Sequence, residues 1–61
     1  MIQRFVLGGR RYEELHVPVA TDRISGEGLE KLMETLRLVY PGAEVFWDGD
    51  KGAIVVRWVR L

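Results

Sequence analysis

Between Ser25 and Tyr40 the chain carries its one strongly periodic amphipathic pattern, and its other apolar segments must be organised against that pattern. Leu29, Leu32, Met33, Leu36, Val39 and Tyr40 recur at the i, i+3, i+4, i+7 spacing that puts them on one face of a helix. Glu27, Glu30, Lys31, Glu34 and Arg37 take the other face, with Glu27 one turn before Lys31 as an attractive pair. Ser25 as N-cap sets Ile24 at N′ and Leu29 at N4, the two positions of a hydrophobic staple. Tyr40-Pro41-Gly42 ends the helix, because Pro41 disfavours helical geometry at Tyr40 and Gly42 permits a reversal. One residue breaks the pattern: Leu38 points almost opposite to Leu29.

The flanking segments read as strands. Ile2 to Leu7 and Tyr12 to Val19 are joined through Gly8-Gly9, a hairpin signal. Phe5 and Leu7 look inward on the first strand; Leu15, Val17 and Val19 look inward on the second. Directly opposed residues share a face, so this assignment requires a loop of odd length, such as Gly8-Gly9-Arg10, or a bulge. Pro18 cannot donate to a ladder and marks an edge at that point. Ala43 to Asp48 and Ala53 to Arg60 form a second hairpin across Gly49-Asp50-Lys51-Gly52. A four-residue loop opposes Trp47 to Ile54, Val45 to Val56 and Ala43 to Trp58, and sets Phe46 opposite Val55 on the outer face. The last strand is nearly apolar on both sides, which suits a central position.

The order hairpin, helix, hairpin predicts one α+β domain over residues 1–61. It is a ββαββ unit with a four-stranded mixed sheet, the last strand beside the first, and one helix packed across one face. A strand ending in Leu7, a turn at Gly9-Arg10, the helix, then Glu44 to Asp48 and a closing apolar strand resemble the β-grasp domains. The likeness is greatest to the immunoglobulin-binding domain of streptococcal protein G. The resemblance implies topology; no antibody-binding motif matches on the helix, and the threonine-rich strands of that family are absent. Ubiquitin-like sulfur carriers share that fold but end in Gly-Gly, whereas this chain ends Val59-Arg60-Leu61.

So short a chain buries only about 60% of its unfolded surface and needs efficient packing, a metal, disulfides or self-association. Cysteine is absent and histidine occurs once, so no disulfide and no zinc site is expected. The nine basic and nine acidic residues cancel, which gives no bulk pull towards nucleic acid or an anionic membrane. Seven Arg to two Lys, no Asn and a single Gln fit a thermophilic source, a GC-rich genome or a designed sequence alike. No apolar run reaches the roughly 20 residues of a membrane span and no signal peptide is read, so the expectation is a soluble, cytoplasmic protein.

Little points to catalysis. His16 has no triad partner, Ser25 is accounted for as a cap, and His16 is expected to be an exposed strand residue. Glu13 and Glu14 are neighbours in a strand and face opposite ways. Asp48 and Asp50 bracket a turn glycine, where aspartate is the ordinary residue. Gly26 and Gly28 at the helix start resemble a phosphate loop without its lysine. No enzyme, cofactor or metal is expected. The stronger signal is the sheet face away from the helix, where Arg4, Val6, Phe46, Val55, Arg57 and Val59 form a predicted protein-binding patch. Against that stands a plainer reading, in which Arg4 and Arg57 lay their stems over the apolar residues and solvate them. The patch suggests a protein-interaction module or small regulator, including a homodimer. A nucleic-acid binder using Arg4, Arg57, Arg60 and a stacking Phe46 is the second class, and a designed or structural domain with no partner the third.

Overall fold

The computed structural model describes residues 2–60; Leu61, part of the tail compared with the sulfur carriers, lies outside them. Four strands, β1 (Ile2–Leu7), β2 (Arg10–Pro18), β3 (Glu44–Asp48) and β4 (Ala53–Val59), form one sheet, and α1 (Gly26–Val39) packs on one face. The α+β, ββαββ fold is therefore as read from the sequence. Ser25 caps α1, its Oγ accepting from the Gly28 N–H at 3.0 Å. Ile24 lies against the first turn, its Cγ1 3.0 Å from where a Gly28 side chain would begin. At the other end Tyr40 N–H donates to the Leu36 carbonyl, and Gly42 takes a φ of 84° to turn the chain.

The strand order corrects one expectation. It is β1-β2-β4-β3 with every pair antiparallel, so the sheet is not mixed and the last strand does not lie beside the first. β4 is central, but its neighbour is β2, along seven residue pairs from Tyr12↔Val59 to Pro18↔Ala53. The ladder continues through Val19 N–H to the Gly52 carbonyl and Arg60 N–H to the Arg11 carbonyl. The physical reason is length and the inward Leu15–Val17 pair. β2 is nine residues long and offers Leu15 and Val17 to the core, whereas β1 is shorter and carries Gln3 and Arg4.

The first hairpin is the second correction. Leu7 pairs directly with Arg10, so the loop is the two residues Gly8 and Gly9, at φ 58° and 79°. Positive φ at both central positions is a type I′ turn, which two glycines adopt without steric cost. The two-residue loop opposes odd to even positions. It therefore turns Phe5 and Leu7 to the open face and puts Ile2, Arg4 and Val6 on the helix side. The second hairpin has the expected register throughout its strands: Val45↔Val56, Phe46↔Val55 and Trp47↔Ile54.

The core lies between α1 and the β2–β4–β3 part of the sheet. Met33, Val45, Ile54 and Val56 are buried there, with Leu15, Val17, Leu29, Leu32, Leu36 and Trp58 packed around them. Tyr40 stacks on Trp58 at 5.6 Å between ring centres, fixing the end of α1 over β4. Arg37 donates to the Val45 carbonyl, fixing α1 near β3. β1 contributes no residue to this core. No helix among the described residues is long and apolar enough to cross a membrane.

Candidate functional site

Pairing register sorts the six predicted binding residues onto two different surfaces. Phe46, Val55, Arg57 and Val59 face away from α1; Arg4 and Val6 fall on the helix side of β1. The open face instead gains Phe5 and Tyr12, directly opposed and stacked at 5.3 Å. Sequence reasoning missed both because it assigned Phe5 inward. The Gly8-Gly9 pair was the signal that would have found them.

The centre of the open face is a closed polar–aromatic network. Glu14 is buried at 6% exposure, and its Oε2 accepts from Arg57 Nε at 2.7 Å and Nη2 at 2.6 Å. Its Oε1 lies 3.1 Å from His16 Nε2. The Arg57 guanidinium lies over the Phe5 ring at 5.5 Å and over the Phe46 ring at 5.2 Å. Burial alone would raise the Glu14 pKa. Hydrogen bonds from His16 and Arg57 outweigh that and hold the carboxyl below its ordinary value. His16 is therefore a half-buried partner of Glu14, its side chain 13% exposed, rather than the free strand residue expected.

Val55 lies at the middle of this face, between His16 and Phe46 in register, and is only 1% exposed. The predicted patch centre is thus covered by its own neighbours. The plainer reading holds for Arg57, whose stem and charged head roof the face. What stays accessible on this side is the hairpin end, where Leu7 and Val59 are exposed beside Phe5 and Tyr12.

The helix side is closed over β4 and bare over β1. Ile2 and Val6 are each more than half exposed there. Arg4 Nε donates to Glu13 Oε2 at 2.9 Å, and Trp58 Nε1 donates to Glu13 Oε1 at 3.4 Å. The Arg4 hydrogen bond holds the Glu13 carboxyl below its ordinary pKa. Arg4, Val6, Arg11 and Arg60 line an open hollow of about 270 Å³ along the hairpin, together with Phe5 and Tyr12. A second, of about 330 Å³, lies between Val39, Tyr40, Pro41, Ala43 and Trp58 at the end of α1.

The remaining motifs are structural. Asp48 Oδ1 accepts from the N–H groups of Asp50 and Lys51 and closes the second hairpin loop. The helix start is occupied by its Ser25 cap. Among the described residues no group of acidic or histidine side chains is placed to hold a metal ion. No protein-family model matches this chain, and neither does any curated protein or solved structure.

Proposed function

We propose that this chain is a small non-enzymatic protein-interaction module that binds through β1 and the adjoining hairpin end. One observation carries the reading: β1 is an edge strand that supplies nothing to the core, yet Ile2, Val6 and Leu7 on it are each more than half exposed. An edge strand offers a row of free backbone donors and acceptors, and apolar side chains on both its faces give an incoming extended peptide something to bury. The central open face is a weaker candidate, since Glu14, Arg57 and Phe46 already satisfy one another there. The same contacts tell against base stacking, because Arg57 occupies a face of the Phe46 ring and Arg4 is held by Glu13.

Panning a displayed random-peptide library on the immobilised protein tests this. The expected winners are extended sequences with alternating apolar positions, lost on Val6→Asp and Leu7→Asp variants that keep the parent circular dichroism. No enrichment over a blank surface would refute the reading. So would tight binding of a fluorescent oligodeoxythymidine with a steep salt dependence, which would move the function to the nucleic-acid class.

A further inference from the structure

Leu38 is the residue that the helical pattern leaves unexplained. Nine residues after Leu29, it lies about 180° round α1 from the core-facing side, and at 83% exposure it is the most exposed large apolar residue described. Val39, next to it, is also more than half exposed. Across the helix side of the sheet lies a second uncovered apolar strip, Ile2 and Val6 on β1. The two cannot meet within one molecule, because α1 is held over β3 and β4 with its Leu38 side turned outward.

Charge divides the same way. The hairpin and the chain end beside it carry Arg4, Arg10, Arg11 and Arg60. The outer side of α1 carries Glu27, Glu30 and Glu34, with Lys31 among them as the i+4 partner of Glu27 at 3.7 Å and Arg37 at its flank, turned to the Val45 carbonyl. Glu13 and Glu14 pair with Arg4 and Arg57, so the charges left over are Arg10, Arg11 and Arg60 at the hairpin end and Glu30 and Glu34 on the outer side of α1. The spans agree as well. Ile2 to Val6 covers about 13 Å of strand, and Leu38 to Glu27 about 16 Å of helix.

We infer that a second copy of this chain covers the bare strip. The outer side of each α1 lies across β1 of the other copy, with Leu38 on Ile2 and Val6 and with Glu34 near Arg11. The arrangement is two-fold symmetric: Arg11 meets Glu34 twice, and the two helices form one layer between two sheets. Surface area supports it. A compact protein of 7.0 kDa exposes about 4000 Å², whereas this chain exposes 4590 Å². Its radius of gyration is 12.2 Å, against about 10.5 Å for a compact domain of this length. A standard interface takes about 800 Å² per partner, and the strip, the two hollows and the outer helix face offer surface of that kind. The inference goes beyond the module reading: the second copy takes Ile2 and Val6 on the helix side of β1, leaving its backbone edge and Leu7 on the other face for a peptide.

Sedimentation equilibrium on the intact protein tests it. The parent should be a dimer and Leu38→Asp a monomer with unchanged circular dichroism, since so exposed a residue supports nothing in the monomer. Arg11→Glu and Glu34→Arg should each weaken association about tenfold or more, and an equimolar mixture of the two should recover it as a heterodimer. A parent that is monomeric at about 1 mM overturns the inference, as does a dimer that Leu38→Asp leaves intact. A monomer that still selects extended peptides keeps the module reading while losing this one; a monomer that selects none loses both.

Discussion

Replacing Arg57 by Met probes the network that closes the open face. The side-chain stem stays and the guanidinium goes, so Glu14 keeps its burial but loses two donors at 2.7 and 2.6 Å. Stranding one partner of a buried ion pair costs about 3–5 kcal/mol. Arg57 is a third exposed, so solvent screening lowers the electrostatic part to about 2–3 kcal/mol. Loss of the two ring contacts adds about 0.5–1 kcal/mol each, partly offset by the methionine against the same rings. A net loss of about 2–4 kcal/mol is large against the roughly 3–9 kcal/mol expected for a domain this size. The acid dependence separates charge from packing. The folded pKa of Glu14 is depressed, so its contribution is full above the ordinary value of 4.5 and is lost as pH falls through the lower folded value. The gap between parent and Arg57→Met should therefore be widest near pH 7 and narrow below about pH 4. Urea denaturation followed by circular dichroism at both pH values reads it. Equal midpoints at pH 7, or a gap unchanged at pH 3, would refute the argument.

The core and cap give sharper, simpler expectations. Ile54→Ala, at a fully buried position in β4, should cost about 2–5 kcal/mol, and Leu36→Ala, only partly buried, should fall near the lower end of that range in the same denaturation assay. Ser25→Ala removes the acceptor for the Gly28 N–H and should cost about 1 kcal/mol, visible as a lower thermal midpoint. Val55→Asp should leave the chain unfolded by circular dichroism, because a carboxylate would replace a side chain at 1% exposure beside the buried Glu14, whose donors His16 and Arg57 are already engaged; a folded variant would show that the open face parts easily.

Helix, caps and second hairpin were legible because several local signals agreed on them. The 3.6 period, the Ser25 cap, the Pro41-Gly42 stop and a loop of fixed length each point the same way. The first hairpin was misread because two signals conflicted. Apolar parity asked Phe5 and Leu7 to face inward, while Gly8-Gly9 asked for a two-residue turn. Turn geometry won, and it could win because α1 does not reach β1, so neither face of that strand is compelled to be apolar. The same gap explains the strand order, which no local pattern encodes: β4 chose the longer β2, which sets Leu15 and Val17 under α1. Val55 was missed for another reason. Phe46 was already set beside it, but the cover from His16 and from the Glu14–Arg57 pair arises only once β2 and β4 are paired.

These corrections put the exposed Ile2 and Val6 on the opposite side of the sheet from the patch expected. A sheet face without a helix is ordinarily the exposed one, yet here it carries a buried carboxylate with its donors satisfied and rings covered by Arg57. The face that holds the helix is the unfinished one, since a single helix packs over β3 and β4 and β1 lies beyond it. A small domain whose apolar supply is limited gains little from leaving Ile2, Val6 and Leu38 in water unless something covers them. An internal remedy is closed off, because Tyr40 on Trp58 and Arg37 on the Val45 carbonyl tie α1 to the far strands. The chain's own described residues leave the strip uncovered, and the dimer proposed above sets against it the side of α1 that carries Leu38, Glu30 and Glu34.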